Sequence, residues 1–124
     1  MEYIHHPNIE VIFIGDRISK NSKITIGGDA INKINQINAD ICFLGINAID
    51  TVHGLTDDDW DVVQVKKAMI QASKKVVALT IAEKVNTHRK IKVADIEELD
   101  IMITELDEKS EIFDAYKEKG MQII

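Results

Sequence analysis

The chain has 124 residues, of which 45% are hydrophobic, and this is enough for one domain with a single buried core. A formal net charge of -6, with no run of Lys or Arg, excludes nucleic-acid binding by this chain on its own. The single cysteine, Cys42, allows no intrachain disulfide, and the apolar runs are too short to span a bilayer, so we expect a soluble, cytoplasmic protein without membrane contact.

Five short apolar runs bounded by turn residues predict β-strands along the chain. The predicted strands are Glu10–Ile14, Ile41–Leu44, Val76–Ile81, Ile101–Thr104 and Gln122–Ile124. In the first three, hydrophobic residues are continuous rather than alternating, as in parallel strands that are covered on both faces. Because parallel strands need helical crossovers between them, the pattern predicts an α/β fold.

Helices are predicted on either side of the second strand. A weak one covers Gly28–Ile37, where several Asn residues lower the helix propensity. The next helix leads into the strand at Val76 and has a buried face of residues spaced by three and four, namely Val62, Val65, Met69, Ala72 and Val76. The residues placed mostly outside that face are Gln64, Lys66, Lys67 and Lys74.

A last helix is predicted at about Glu108–Lys119, with Ile112, Phe113 and Tyr116 facing inward. It ends at Gly120, a residue suited to the left-handed conformation that closes many helices.

The segment Ala39–Lys84 contains two predicted strands and the helix between them. Open parallel sheets bind small molecules beyond the carboxyl ends of their strands, where loop side chains and backbone amides meet. We therefore expect a ligand crevice at these strand ends.

Several short motifs, in their order and spacing, resemble a known family. The motifs are Pro7–Ile12 before a glycine turn, Gly27 with Ala30 three residues on, Ala39-Asp40, Leu44–Asp50, Gly54-Leu55-Thr56, Val65–Ile70, Lys84 and Ile96–Thr104. Together they resemble the C-terminal effector-sensing domain of bacterial DeoR-type transcriptional repressors. The resemblance implies a fold akin to ribose-5-phosphate isomerase and glucosamine-6-phosphate deaminase: α/β, three-layer, with a mostly parallel Rossmann-like sheet flanked by helices.

The resemblance covers nearly all of the chain, but it begins inside the family's sensor domain. The family's full protein starts with a winged helix-turn-helix that binds operator DNA, and its sensor domain starts with strands that end in an Asp-x-Gly-Thr-Thr phosphate loop and in Thr-Asn. None of these motifs occurs in residues 1–124. We therefore expect residues 1–124 to be the C-terminal part of a sensor domain, truncated at its N-terminus, with an incomplete ligand site and no DNA-binding domain.

The candidate ligand-binding residues are Gly15, Asp16, Gly27, Gly45, Asn47, Asp50, Lys66 and Lys84. The loops at Gly15-Asp16 and at Gly27 could contact an anion, although ordinary turns are the simpler interpretation of both. Asn47 and Asp50 offer an amide and a carboxylate to sugar hydroxyls, and a turn-capping role for Asp50 is an equal alternative. Lys84 is either a point charge for a phosphate or a solvated loop lysine.

Metal and cofactor motifs are not recognised in the chain. The acidic residues between Asp57 and Asp61 lack the calcium-loop pattern and are interpreted as caps of the following helix. His53 could donate to a phosphate, but one loop histidine identifies no partner. Neither the His5-His6 pair nor His88 has ligand spacing to a cysteine, so we expect no metal and no cofactor.

Two departures from the family pattern argue against catalysis. Val62 stands where the related enzymes carry the glutamate that moves the proton, and valine cannot transfer one. Thr80 stands where the family commonly has Asp. The leading hypothesis is a sensor, not an enzyme, that binds a phosphorylated sugar, forms a homo-oligomer and reaches DNA only through a helix-turn-helix outside this chain. A sugar-phosphate isomerase or deaminase, and a degenerate remnant that serves only in oligomerisation, are the alternatives.

Overall fold

The structure, a computed structural model, describes residues 8–14, 17–18 and 25–124. Within these ranges the strands are β1 (Arg17–Ile18), β2 (Thr25–Ile26), β3 (Ala39–Gly45), β4 (Ala48–Asp50), β5 (Gly54–Asp57), β6 (Ser73–Leu79), β7 (Ile91–Ala94), β8 (Ile101–Ile103) and β9 (Gln122–Ile123). The α-helices are α1 (Gly28–Ile34), α2 (Trp60–Gln71) and α3 (Asp114–Glu118), and 3-10 helices lie at Ala82–Lys84, Ile96–Glu98 and Glu111–Phe113. No helix in the described ranges combines the length and apolar character needed to cross a membrane.

The larger sheet has four parallel strands in the order β3-β6-β8-β9. Its register places Leu44 beside Ala78, and Ala78 beside Met102. Helix α2 packs against β3 and β6, and α3 packs against β9. The mostly parallel, Rossmann-like sheet flanked by helices is therefore confirmed, and so are the four predicted strands from Ile41 onward.

A smaller antiparallel sheet, in the order β4-β5-β7, was missed by the sequence reasoning. Strands β4 and β5 form a hairpin in which Ile49 faces Leu55, and β7 pairs with β5 across an irregularity between Leu55 and Thr56. These strands are only three or four residues long, too short to show a periodic pattern. Because α2 also packs against β5 and β7, this one helix contacts both sheets.

The predicted first strand, Glu10–Ile14, is wrong. Residues 10–14 form no strand, and the side chains of Ile12 and Phe13 are 76% and 70% exposed. A strand needs a hydrogen-bonded neighbour, and no strand in the described ranges pairs with this run. An apolar run alone is therefore not enough to identify a strand.

Strand position in the larger sheet decides which apolar runs are buried on both faces. In the internal strand β6, the consecutive residues Val76, Val77 and Ala78 are all buried, as predicted for continuous runs. In the edge strand β3, burial alternates: Leu44 is buried, whereas Phe43 is 59% exposed. The prediction that β3 is covered on both faces is therefore wrong for the described part of the chain.

The predicted helices are confirmed, but they are shorter than expected. Helix α1 ends at Ile34, and α2 ends at Gln71, since the chain becomes extended at Ser73 and pairs there with β3. Val76 thus belongs to a strand rather than to the helix. The last predicted helix begins as a 3-10 turn at Glu111, and the predicted stop at Gly120 has the expected positive φ, 94°.

Most of the core lies between the sheets and the helices that cover them. Phe113 and Tyr116 are fully buried there, as predicted, and Ile112 is partly buried against the same cluster. A smaller cluster joins Val62 and Val65 of α2 to Ile26. Helix α2 therefore contributes to both clusters, with Val63 in the larger and Val62 and Val65 in the smaller.

Candidate functional site

A groove of about 640 Å³ opens at the carboxyl ends of β3, β6 and β8. This is the edge of the sheet at which the sequence predicts a ligand crevice. Two of the candidate residues, Gly45 and Lys84, lie in its lining. The full lining consists of Gly45, Ile46, Leu79, Thr80, Ile81, Lys84, Ile103, Thr104 and Glu105.

The described lining of the groove carries one basic side chain, Lys84, and one acidic side chain, Glu105. Lys84 is half-buried at the end of the 3-10 helix Ala82–Lys84. Glu105 accepts hydrogen bonds from the Thr104 hydroxyl at 2.9 Å and from the Ala82 amide at 2.7 Å. The Thr104 hydrogen bond is the main cause that lowers the pKa of Glu105, so this carboxylate is ionised at neutral pH.

Glu105 was missed by the sequence reasoning, although a signal was present. It follows β8 at the same edge of the sheet at which Gly45 ends β3, and the strand-end rule could have been applied to it. Its carboxylate fixes the amide of Ala82 and so orients the short helix that carries Lys84. The groove therefore pairs a cation with a hydrogen-bond acceptor.

A second group of candidate residues is joined through Asp57 behind the end of β3. Lys66 Nζ donates to the carbonyl oxygen of Gly45 at 2.9 Å and to Asp57 Oδ2 at 3.1 Å. Asn47 Nδ2 donates to the other carboxylate oxygen, Asp57 Oδ1, at 3.3 Å. Gly45, Asn47 and Lys66 thus form one network centred on a residue that the sequence reasoning interpreted as part of a helix cap.

This network is buried and electrostatically coupled. The side chains of Lys66 and Asp57 are 11% and 6% exposed. Burial acts to raise the pKa of Asp57, but the Lys66 ammonium, with hydrogen bonds from Lys66 and from backbone amides, outweighs burial and lowers it below the ordinary value. The placement of Lys66 outside the buried face of its helix is therefore wrong, because Asp57 supplies a partner for the charge inside.

The acidic segment before α2 behaves only in part as interpreted. Asp59 caps α2, since its carboxylate accepts hydrogen bonds from the amides of Asp61 at 2.9 Å and Val62 at 3.4 Å. Asp57 does not cap the helix in this way, because its side chain is engaged with Lys66. No sequence signal distinguished these two carboxylates.

Asp50 lies apart from the groove lining, at the end of β4 where the β4–β5 turn begins. Its Oδ1 accepts hydrogen bonds from the amides of Val52, at 3.0 Å, and His53, so the turn-capping interpretation holds. Its Oδ2 lies 2.8 Å from His53 Nδ1 and 3.6 Å from His88 Nδ1. Burial acts to raise the pKa of Asp50, but hydrogen bonds and charge from His53 lower it overall.

The glycine candidates divide between the described and the undescribed parts of the chain. Gly27 precedes α1 with a positive φ of 109°, which suits a tight turn, and it does not line the groove. Gly15 and Asp16 lie outside the described residues.

Val62 and Thr80, the two departures from the family pattern, are both buried. Val62 is fully enclosed in the cluster with Ile26 and Val65. Thr80 lines the groove, and its hydroxyl donates to the carbonyl oxygen of Ile81 at 3.1 Å. Neither position supplies a carboxylate to the strand ends.

Comparison with known proteins shows similarity to regulators of transcription. The HTH-type transcriptional regulator GlpR of Haloferax volcanii is 31% identical over 96 residues, which are 77% of this chain and 38% of that protein. The HTH-type transcriptional regulator GolR of Listeria innocua is 26% identical over 123 residues, covering 99% of this chain and 48% of that protein. The HTH-type transcriptional repressor GlcR of Bacillus subtilis is 26% identical over 116 residues, which cover 94% of this chain and 45% of that protein.

The chain therefore spans less than half the length of these curated relatives. The family model for the DeoR C terminal sensor domain matches residues 1–106, which is most of the chain. On these grounds, the chain belongs to the DeoR C-terminal sensor domain family.

Proposed function

We propose that this chain is the effector-binding part of a regulator of sugar metabolism and that the groove at the ends of β3, β6 and β8 binds a phosphorylated sugar or a related metabolite. The observation that carries the proposal is the position of Lys84, a cation at the carboxyl edge of a parallel sheet. An ammonium group there can hold a phosphate as a point charge. The hydroxyl of Thr104 and the carboxylate of Glu105 suit the hydroxyl groups of a sugar.

The composition of the site favours sensing over catalysis. Isomerisation of a sugar phosphate needs a group that moves a proton between carbons, and the buried side chain of Val62 has no titratable atom. Asn47 is an amide, and it donates to Asp57 rather than presenting an acid. The similarity to transcriptional regulators and repressors supports the same choice.

A ligand in this groove can change DNA binding only if it binds two conformations of the regulator with different affinities. In this proposal, DNA contact comes from a helix-turn-helix module outside the 124 residues, as the names of the relatives indicate for those proteins. The sensor then acts by changing how its subunits present that module.

Binding can be tested with the 124-residue chain and a panel of ribose 5-phosphate, glucose 6-phosphate, glucosamine 6-phosphate, glycerol 3-phosphate and inorganic phosphate. A ligand present at a hundredfold its dissociation constant stabilises the folded state by about 2.7 kcal/mol, which a thermal unfolding scan detects. Titration calorimetry then gives the affinity. We expect at least one sugar phosphate to bind more tightly than inorganic phosphate.

The Lys84→Gln variant should weaken that binding about tenfold or more, because a hydrogen bond to a charged group contributes about 1.5–3 kcal/mol. Lys90→Gln is the matched control, since Lys90 is exposed and does not line the groove. Equal affinity in the parent and the Lys84→Gln variant would contradict the groove assignment. Turnover of ribose 5-phosphate or glucosamine 6-phosphate would favour the enzyme alternative.

We also propose that the chain self-associates through the face beside β3. In the described part of the chain β3 is an edge strand, and edge strands present unpaired backbone groups to a partner. Phe43 and Ile41 are exposed on it and line an apolar cavity of about 590 Å³. Phe43→Lys should shift sedimentation toward the monomer, whereas Val52→Lys, at an exposed residue of the β4–β5 turn, should not. An unchanged distribution for Phe43→Lys would exclude this face.

A further inference from the structure

We propose that Asp50, His53 and His88 form a binding site for a transition-metal dication such as Zn²⁺. These three side chains offer two imidazole nitrogens and one carboxylate, a donor set that suits zinc. The site is separate from the groove at the ends of β3, β6 and β8, and the inference does not depend on an effector binding there. Sequence spacing gave no indication of it, because the second histidine comes from a distant loop.

The three donor atoms already converge in the folded chain. His53 Nδ1 lies 2.8 Å and His88 Nδ1 lies 3.6 Å from the same oxygen, Asp50 Oδ2. All three ligand atoms lie within 4.8 Å of one another. Donor atoms around a tetrahedral zinc, each about 2 Å from the ion, are separated by roughly 3.3 Å, so shifts of a few tenths of an ångström to about 1.5 Å bring them to bonding distance.

The two imidazole rings are stacked, with their centroids 4.1 Å apart and their planes at 16°. A metal ion must lie close to the plane of each ring that it binds, so coordination requires at least one ring to turn out of the stack. The side chains of His53 and His88 are 48% and 58% exposed, which leaves room for this rotation and for a solvent or anionic ligand at the remaining position.

Asp50 and His53 are held in place by the β4–β5 turn itself. Asp50 Oδ1 accepts hydrogen bonds from the backbone amides of Val52 and His53. Because this oxygen is occupied by the turn, Oδ2 is left directed toward both rings. One carboxylate thus fixes the turn with one oxygen and presents the other as a ligand, which is the arrangement that pre-organises a metal site.

His88 is brought to this turn by a segment that is anchored on both sides of it. The Thr87 amide donates to the carbonyl oxygen of Ile49 at 3.1 Å, and the Arg89 amide donates to the buried Thr56 hydroxyl at 2.7 Å. The Tyr116 hydroxyl donates to Asn86 Oδ1 at 2.8 Å. The backbone around His88 is therefore fixed before an ion arrives, and only the side chain has to move.

The chain offers an internal control, because its four histidines are His5, His6, His53 and His88. A reference protein with His5→Gln and His6→Gln keeps the proposed site and removes the other imidazoles. We expect it to bind one equivalent of Zn²⁺ in titration calorimetry. Co²⁺ used as a spectroscopic probe should give the visible absorption bands of a nitrogen- and oxygen-coordinated ion.

Adding His88→Gln to the reference should weaken Zn²⁺ binding at least tenfold, because loss of even an outer hydrogen-bond partner of a metal ligand costs about 10- to 100-fold in affinity. Adding His53→Gln as well should abolish saturable binding and the Co²⁺ bands. Far-ultraviolet circular dichroism and the metal-free thermal midpoint check that both variants fold like the reference. The proposal is overturned if the reference does not bind Zn²⁺ saturably, or if a folded variant that lacks both histidines binds it equally well.

Discussion

Replacing Lys66 with methionine would leave the Asp57 carboxylate buried without its ammonium partner. The two side chains are 11% and 6% exposed, and the charged atoms lie 3.1 Å apart. At that distance, an effective dielectric constant of about 20 gives a Coulomb attraction of about 5 kcal/mol. Part of it offsets the desolvation of both charges, and removing one partner of a buried pair costs about 3–5 kcal/mol. We expect Lys66→Met to lower the free energy of unfolding by about 3 kcal/mol at pH 7.

Urea unfolding followed by circular dichroism measures this change. The control is Lys67→Met, because Lys67 is the next residue of the same helix and is exposed, so its replacement should change stability by less than about 0.5 kcal/mol. In an Asp57→Asn background the buried charge is gone, and Lys66→Met should cost clearly less than in the parent. A double-mutant cycle gives the coupling energy.

The same pair predicts a dependence on pH. The pKa of Asp57 is lowered in the folded chain from an ordinary value of 3.8, so its ionised form stabilises the fold above that pH. This contribution is lost as the pH falls from about 4 through the folded pKa, and the cost of Lys66→Met should shrink over the same range. If Lys66→Met costs no more than Lys67→Met, or costs the same with and without the Asp57 carboxylate, Lys66 and Asp57 do not stabilise the fold as a pair.

Two other substitutions test the packing around the β4–β5 hairpin. Tyr116→Phe removes the hydroxyl that donates to Asn86 Oδ1 at 2.8 Å and to the Ile49 carbonyl oxygen at 3.3 Å, and should cost about 1–2 kcal/mol in urea unfolding at pH 7. Because burial raises the pKa of Tyr116 to about 12, the stability advantage of the parent should be constant below pH 10 and should fall between pH 10 and 12; a gap that stays constant there would count against this burial. Gly54 has a φ of 77°, and an added Cβ would lie 2.2 Å from the carbonyl oxygen of Ala94, so Gly54→Ala should cost at least about 2 kcal/mol. Gly28→Ala, where nothing lies within 4 Å of the added atom, should not destabilise; equal thermal midpoints for the two variants would disprove the contact.

The parallel sheet could be predicted because its signal is local. Continuous apolar runs between turn residues identify strands such as β6, and the spacing of Val62 and Val65 identifies α2. The antiparallel sheet could not be predicted in this way. Its strands contain few residues, and β7 joins β5 only because of long-range packing, which leaves no periodic trace in the sequence.

The groove could be located from the sequence, but its internal connections could not. The strand-end rule directed attention to Gly45 and Lys84, which do line the groove. Which carboxylate of the acidic segment turns inward depends on where Lys66 lies in three dimensions. The pairing of Lys66 with Asp57, and the approach of His88 to Asp50, join residues that no local pattern connects.

Lys84 and His88 belong to one short stretch of backbone, and this stretch is tied to the β4–β5 hairpin. Thr87 follows Lys84 by three residues. Its hydroxyl donates to the Lys84 carbonyl oxygen at 2.7 Å, and its backbone amide donates to the Ile49 carbonyl oxygen at 3.1 Å. A displacement of Lys84 toward an occupant of the groove therefore strains a hydrogen bond on the far side of the stretch. The stretch therefore connects the groove to the smaller sheet through Thr87, and hydrogen exchange at the Thr87 amide measures how firmly that connection is held with and without a ligand in the groove.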